Sequence, residues 1–174
     1  VNGGGIRKQI EAGDITLDDI YSVHPFGNTM CVIRVTGQQV LDALEWGARA
    51  VPSENGGFLQ VSGLTYEIHT GVASSAEKDE NGMFTRVSGE YRVKNVMVGG
   101  QPLELDKTYT LASHNYMLLG HGDGYTMFDG CEVLGEDMMV DNQVLITYIT
   151  TTLGGVVGEQ YANPYGDGRI VAVE

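Results

Sequence analysis

The chain has 174 residues, 42% of them hydrophobic, so we expect one domain with a hydrophobic core of ordinary size. Its formal net charge of −13, from 10 Lys and Arg against 23 Asp and Glu, argues against nucleic-acid polymers, whose binding requires many basic residues. The sequence has no apolar run of about 18 residues that would span a membrane, and its opening at Val1 without a start methionine predicts a fragment of a longer protein.

The segment Asn2–Arg7 comes first and has three consecutive glycines between an amide and a guanidinium. Because glycine adopts positive φ angles, such a run can expose backbone N–H groups to an anion, and Arg7 can add several donors. On its own, this segment is equally consistent with a flexible linker. A small phosphorylated ligand remains compatible with the acidic net charge. At physiological ionic strength, salt screens the repulsion from carboxylates that lie more than about 8 Å from the site.

Two helices and a strand are predicted next. Thr16, followed by two aspartates, predicts a helix of about one turn. The β-branched residues of Thr29–Val35 predict a strand, and Thr36 is expected to cap a helix from about Gly37 to Arg49. Trp46 lies off the centre of that helix's apolar stripe and is expected to pack at the helix edge. The stripe consists of Val40, Leu41, Leu44 and Ala48.

The remaining sequence contains more strand patterns than helix patterns. The strand patterns are Phe58–His69, Tyr91–Val98, Tyr109–Ala112 and Arg169–Val173. Ser74–Gly82 predicts an exposed hairpin tip, Asp141 is expected to cap a helix that ends near Leu153, and Pro164–Gly168 predicts a loop. Because strands outnumber helices and do not alternate with them regularly, the predicted fold class is α+β, with a mixed β-sheet and packed helices.

Two further clusters carry residue types that recognise nucleotides. Pro25–Asn28 places an aromatic ring and an amide before a predicted strand, and Asn115–Tyr125 follows a predicted strand with Asp123 between glycines. Aromatic rings can sandwich a base, with stacking worth about 1–3 kcal/mol per base. A carboxylate can accept both ribose hydroxyls, and Arg7 can bind phosphate. Each feature alone is more often structural.

The cysteines and histidines do not predict a metal site. Cys31 and Cys131 lack metal-ligand spacing, and they are consistent with a disulfide or with two separate thiols. The four histidines are scattered without a zinc-binding pattern. His24 and His114 lie near the two clusters, and we expect them to be hydrogen-bonded structural histidines.

Four motifs together resemble the C-terminal domain of the 5'-nucleotidase family, which includes periplasmic UDP-sugar hydrolases and cell-surface ecto-5'-nucleotidases. They are Asn-Gly-Gly-Gly-Ile-Arg at residues 2–7, Pro-Phe-Gly-Asn at 25–28, Gly-Asp-Gly-Tyr at 122–125 and Gly-Arg-Ile at 168–170. The motifs occur in the family's order and span nearly the whole chain. This ordered set is much more specific than any one motif.

The resemblance implies a division of labour between two domains. Residues 1–174 would form a single substrate-binding domain, and a missing N-terminal metallophosphoesterase domain would act in cis and hold two divalent metal ions and the catalytic residues. This fragment would therefore contain no catalytic residue, metal or cofactor, and would be inactive alone. The full-length protein would hydrolyse nucleoside monophosphates or UDP-sugars outside the cytoplasm, as a periplasmic, secreted or cell-wall attached protein.

The resemblance also implies a role for individual residues. Arg7 would bind phosphate, although the family also uses an arginine upstream of the glycine motif, so phosphate binding by this fragment is expected to be weak. Phe26 and Tyr116 would sandwich the base, Asn28 would bind its edge, and Asp123 would bind the ribose hydroxyls. The complete substrate-binding set is Asn2, Gly4, Gly5, Arg7, Phe26, Asn28, Tyr116 and Asp123.

One spacing departs from the family pattern. Asp123 comes seven positions after Tyr116, whereas the family places six, so the intervening loop has to absorb one residue before Tyr116 can reach the base. His121 replaces a common glycine there and is expected to narrow the pocket. Two other functions stay open: a 2',3'-cyclic-nucleotide phosphodiesterase/3'-nucleotidase or a related sulfur-oxidising enzyme, and a non-catalytic surface binding or adhesion module.

Overall fold

The computed structural model describes residues 1–163 and 166–174, so Pro164 and Tyr165 of the predicted loop lie outside the described residues. The strands are β1 Met30–Thr36, β2 Leu64–His69, β3 Ala76–Lys78, β4 Phe84–Val87, β5 Val93–Val98, β6 Gln101–Pro102, β7 Thr108–His114, β8 Glu132–Gly135 and β9 Ile170–Val173. The helices are α1 Leu17–Val23, α2 Gly37–Ala48, α3 Asn115–Leu118 and α4 Asp141–Thr147.

The strands form two sheets and a separate hairpin. One sheet has the order β7-β1-β8 and is antiparallel, the other has the order β6-β5-β2-β9, and β3 pairs with β4. Strand β9 runs parallel to β2, while β5 runs antiparallel to it, so this sheet is mixed. The predicted α+β class with a mixed sheet is confirmed.

The pairing of β1 with β7 brings the two predicted clusters together. Met30 at the start of β1 lies opposite His114 at the end of β7. Because the two strands are antiparallel, the chain enters β1 and leaves β7 at the same edge of the sheet. The segment before β1, which contains Phe26, and the segment after β7, which contains Tyr116, therefore begin side by side.

Helix α2 forms the centre of the core and begins where the sequence predicts. The Thr36 hydroxyl accepts the Gln39 N–H at 3.2 Å, and the Gln39 side chain accepts the Thr36 N–H at 2.9 Å, which is a capping box. The helix contacts β1 and β5, one strand from each sheet, and β4 of the hairpin. Trp46 is only 1% exposed, so its predicted position at the helix edge is wrong. A helix surrounded by strands buries residues beyond a single apolar stripe.

Other element boundaries also differ from the predictions. Helix α1 has seven residues rather than one turn, because Thr16 and Asp19 form a capping box and Ile20 and Val23 are buried. The strand predicted from Phe58 begins only at Leu64. Its first residues pair instead with the start of the chain, where Leu59 forms a β-bridge with Asn2.

The last helix differs from its prediction at its start and ends near Leu153, as predicted. Val140 occupies the N-cap position, whereas Asp141 is the first helical residue and is buried. After Thr147 the helix continues as a π-helical turn over Tyr148–Thr152. It stops at Gly154 and Gly155, which have φ angles of 65° and 89°, as expected for a glycine stop.

Among the described residues, no helix combines the length and the hydrophobicity needed to cross a membrane. Both cysteines are free thiols, with Cys31 buried in the core and Cys131 half-buried.

Candidate functional site

One cavity of about 340 Å³ brings the predicted substrate-binding residues together. All eight of them line it, although they come from four separate parts of the chain, and Gly56 completes the lining. The cavity opens at the edge of the β7-β1-β8 sheet, where the chain enters β1 and leaves β7. Its walls contain two aromatic rings, a carboxylate, a guanidinium and two amides.

The glycine segment contributes to this cavity in a different way from the one predicted. Gly3 N–H donates to the Phe58 carbonyl and Gly4 N–H to the Gly56 carbonyl, both at 2.7 Å. Gly5, Ile6 and Arg7 also donate their N–H groups to carbonyls within the protein. Because these donors are already used, the predicted anion cradle of exposed N–H groups is wrong. The alternative of a flexible linker is wrong as well, since the segment is a short 3₁₀ turn fixed to loop 56–58.

Close approach explains why the segment is rich in glycine. A Cβ atom on Gly4 would lie 3.2 Å from the Cα and the carbonyl oxygen of Gly56. Such contacts are tighter than most real ones, and backbone atoms cannot easily move away. Packing of two backbone segments therefore favours glycine at position 4, and no positive-φ conformation is used there.

Two aromatic side chains on the cavity wall remain unusually exposed. Phe26 is 59% exposed and Tyr116 is 42% exposed, although large aromatic residues are usually much more buried. Phe26 lies in the turn between α1 and β1, and Tyr116 lies in the first turn after β7. Exposed rings at the mouth of one cavity are available for stacking on a flat ligand.

The loop after Tyr116 contains two non-glycine residues in left-handed backbone conformations. His121 and Asp123 have φ angles of 52° and 55°, and the loop turns back until the Tyr116 hydroxyl lies 3.1 Å from Asp123 Oδ1. A Cβ atom on Gly122 would lie 2.3 Å from the Tyr116 ring, so any larger residue there would displace this ring from its position. His121 is not among the lining residues of the cavity, and its Nε2 faces Asp129 at 3.8 Å.

Asp123 is held by one donor on each carboxylate oxygen. Asn2 Nδ2 donates to Oδ2 at 2.6 Å, and the Tyr116 hydroxyl donates to Oδ1 at 3.1 Å. Burial, followed by the negative charge of Asp123, raises the pKa of the Tyr116 hydroxyl, which therefore stays protonated and donates. A carboxylate has about four lone-pair sites. Each oxygen of Asp123 thus keeps one site for a further donor, as two neighbouring hydroxyls would require.

Arg7 provides the positive charge of the cavity. One of its terminal nitrogens, Nη1, donates to the Gly4 carbonyl at 3.2 Å, and the guanidinium carbon lies 5.9 Å from the centre of the Phe26 ring. Within the described part of the chain, Arg7 forms no ion pair. It also borders a second, more open cleft of about 480 Å³ on the other side of Gly4. The guanidinium can therefore bind an anion placed beside the aromatic ring.

Asn28 is fixed through its backbone and presents its side chain to the cavity. Its carbonyl accepts the Asp141 N–H at 2.8 Å, and Thr29 forms a β-bridge with Val140. The side-chain amide of Asn28 makes no hydrogen bond to any other described residue, so both its donor and its acceptor are available to a ligand.

Three residues that support this site were not predicted to be part of it. Gly56 lines the cavity and its carbonyl accepts the Gly4 N–H, and the adjacent glycines 56 and 57 are its only sequence signal. Trp46 Nε1 donates to the Asp123 carbonyl at 2.9 Å. His114 Nε2 lies 3.1 Å from Asn2 Oδ1, so it is hydrogen-bonded as expected, but its partner is a residue of the cavity wall.

The described residues contain no group of three or more histidine, cysteine, aspartate or glutamate side chains placed to hold a metal ion. The chemistry that these residues offer is the binding of a flat ring, two hydroxyls and an anion.

Residues 1–130 match the family model described as the 5'-nucleotidase C-terminal domain. The chain is 35% identical over 172 residues to the trifunctional nucleotide phosphoesterase protein YfkN of Bacillus subtilis, a match that covers 99% of this chain and 11% of that protein. It is 34% identical over 149 residues to the 5'-nucleotidase of Vibrio parahaemolyticus, covering 86% of this chain and 23% of the relative.

Among solved structures, the 5'-nucleotidase precursor of Thermus thermophilus matches with a TM-score of 0.78 and 32% identity, over 99% of this chain and 30% of that one. The chain therefore spans between 11% and 30% of the length of these three relatives.

Proposed function

Because the chain belongs to the 5'-nucleotidase C-terminal domain family, we propose that it recognises the nucleotide substrate of a larger phosphohydrolase. The observation that carries this proposal is the single cavity lined by Phe26, Tyr116, Asp123 and Arg7. These four side chains match the chemical groups of a nucleotide. The two rings match the two faces of the base, the carboxylate matches the ribose diol and the guanidinium matches the phosphate. The names of the relatives, a nucleotide phosphoesterase and a 5'-nucleotidase, support the same substrate class.

The proposed pose follows from the geometry of the cavity. The base stacks on Phe26 and Tyr116, and the Asn28 amide bonds to its edge. The ribose hydroxyls donate to the remaining sites on Asp123, and Arg7 binds the phosphate next to the Phe26 ring. Since a single arginine supplies the charge, most of the affinity of this chain should come from the nucleoside.

We assign hydrolysis to an N-terminal metallophosphoesterase domain of the same protein, which would hold two divalent metal ions. The protein itself would lie outside the cytoplasm. The part proposed for this chain is recognition of the substrate, which the aromatic, carboxylate and guanidinium groups of its cavity support. The purified chain should accordingly release no phosphate from AMP in the presence of divalent metals. Metal-dependent phosphate release by the chain alone would contradict this division of labour.

Binding of adenosine tests the proposal directly. The chain should bind adenosine in a calorimetric titration, and Phe26→Ala should weaken binding about tenfold, within the range of base–aromatic stacking. Because Phe26 is 59% exposed, the variant should fold normally. Tyr21→Ala is a matched control, since Tyr21 is an exposed aromatic residue outside the cavity. Absence of adenosine and AMP binding at millimolar concentration would overturn the proposal and favour a surface adhesion module.

A further inference from the structure

We propose that His114 is a positioning residue that orients the ribose-binding carboxylate through Asn2, and that it thereby sets the preference for ligands with a vicinal diol. This inference rests on the proposed function of the cavity. His114 does not line the cavity, and it reaches Asp123 only through Asn2.

A continuous chain of hydrogen bonds connects the four side chains involved. His114 Nε2 lies 3.1 Å from Asn2 Oδ1, and Asn2 Nδ2 lies 2.6 Å from Asp123 Oδ2. The Tyr116 hydroxyl closes the chain at Asp123 Oδ1, at 3.1 Å. The rings of His114 and Tyr116 are also neighbours, with their centres 5.9 Å apart. His114 thus holds Asn2, and Asn2 in turn holds the Asp123 carboxylate.

The chemistry of the amide fixes the direction of each bond. Asn2 Nδ2 faces a carboxylate, which only accepts, so the other end of the amide is its carbonyl oxygen. That oxygen also only accepts, and His114 must therefore carry its proton on Nε2. If the Asn2 amide rotated by half a turn, its oxygen would face Asp123 and its NH₂ group would face the Nε2 proton. His114 and Asp123 together therefore allow one orientation of Asn2.

Burial makes this arrangement stable in a single protonation state. His114 is 3% exposed and Asn2 is 6% exposed, so neither can replace its partner with water at no cost. Burial lowers the pKa of His114, and the Val1 amino group and His24 lower it further, while its own backbone and Asp141 raise it. Asn2 is its side-chain hydrogen-bond partner, and the Tyr116 ring lies beside it. The neutral imidazole with its proton on Nε2 is therefore the form that acts at neutral pH.

The carboxylate depends on this support because Asn2 is one of the two side chains that hydrogen-bond to it. Asp123 lies in a turn with a φ of 55°, on a loop that also contains three glycines, and its only side-chain partners among the described residues are Asn2 and Tyr116. If Asn2 loses its fixed orientation, the Asp123 carboxylate can rotate. It would then no longer offer one free site on each oxygen to two neighbouring hydroxyls.

The test compares adenosine with 2',3'-dideoxyadenosine, which shares the base but lacks both hydroxyls. The unmodified chain should prefer adenosine. His114→Leu, which removes the donor, should weaken adenosine binding about tenfold while leaving dideoxyadenosine binding almost unchanged, because one supporting hydrogen bond is lost. His114→Gln places an amide N–H near the position of Nε2 and should restore the preference. A purely structural histidine would change both affinities by the same factor.

The possible results are distinguishable from one another. If His114→Leu folds and keeps the preference for adenosine, the inference is wrong although the proposed function stands. If the unmodified chain binds both ligands equally, the assignment of Asp123 to the diol is wrong. Should His114→Leu fail to fold, His114→Asn replaces it: its shorter amide matches the position of Nδ1 and does not reach Asn2. That variant should lose the preference that His114→Gln keeps, and equal preference in the two amide variants would contradict the inference.

Discussion

Replacing Asp123 by alanine is expected to weaken adenosine binding at least about a hundredfold, because two hydrogen bonds to a charged acceptor are worth about 1.5–3 kcal/mol each. The loss should be visible in a calorimetric titration of adenosine into the 174-residue chain. Binding of 2',3'-dideoxyadenosine, which lacks the 2' and 3' hydroxyls that Asp123 would accept, should change much less. No other carboxylate lines the cavity within the described residues, so a neighbouring group cannot replace Asp123.

Two further variants separate the loss of the ribose acceptor from backbone strain and from a general loss of negative charge. Alanine is strained at the left-handed φ of 55°, whereas asparagine tolerates that conformation, so Asp123→Asn removes the charge and one acceptor oxygen without backbone strain. Asp129→Ala removes a nearby carboxylate whose side chain is 81% exposed, and it should leave adenosine binding unchanged. If Asp123→Asn bound adenosine as tightly as the unmodified chain, the carboxylate could not be the ribose acceptor.

Replacing Trp46 by alanine is expected to reduce the free energy of unfolding by about 3–5 kcal/mol, the usual cost of removing a large buried aromatic side chain. Trp46 packs edge-on against Phe84, with ring centres 5.7 Å apart, and the Arg49 guanidinium lies 3.6 Å from its ring centre. In a domain of this size, such a loss corresponds to a decrease in melting temperature of roughly 10 °C. Thermal unfolding followed by circular dichroism measures it.

The variant Trp46→Phe separates the contribution of Trp46 to core packing from its hydrogen bond to Asp123. It keeps most of the ring volume but removes the Nε1 proton that donates to the Asp123 carbonyl at 2.9 Å. We expect a smaller loss of stability, about 1–2 kcal/mol, together with weaker adenosine binding, because the Asp123 backbone loses its donor. A Trp46→Ala variant that melts within two or three degrees of the unmodified chain would show that the indole does not stabilise the fold.

The regular elements could be predicted because their signals are local. The capping box of α2 is set by Thr36 and Gln39, three residues apart, and the glycine stop after Leu153 depends on two adjacent residues. The side chains of the cavity were predicted from motif order, through resemblance to a family. Their convergence in one cavity requires the antiparallel pairing of β1 with β7, which no local pattern specifies.

Two of the wrong predictions concern contacts between separate segments of the chain. Gly3 and Gly4 use their N–H groups for Phe58 and Gly56, so the glycine run is a packing surface rather than an anion cradle. Trp46 is buried because strands of several sheets surround its helix, and a helical stripe describes only one contact face. Each of these partners lies tens of residues away along the chain. Short motifs contain no information about which segment will be the neighbour.

The Asn2–Asp123 hydrogen bond joins residues separated by 121 positions in sequence, and this separation has a thermodynamic consequence. A cavity assembled from both ends of the family-matched region exists only after the long-range topology is complete, so partly folded states should have no affinity for its ligand. Binding is then linked to global unfolding, and a ligand at a hundred times its Kd would stabilise the native state by about 2.7 kcal/mol. The nucleoside would therefore stabilise the whole domain and not only the loops around the cavity.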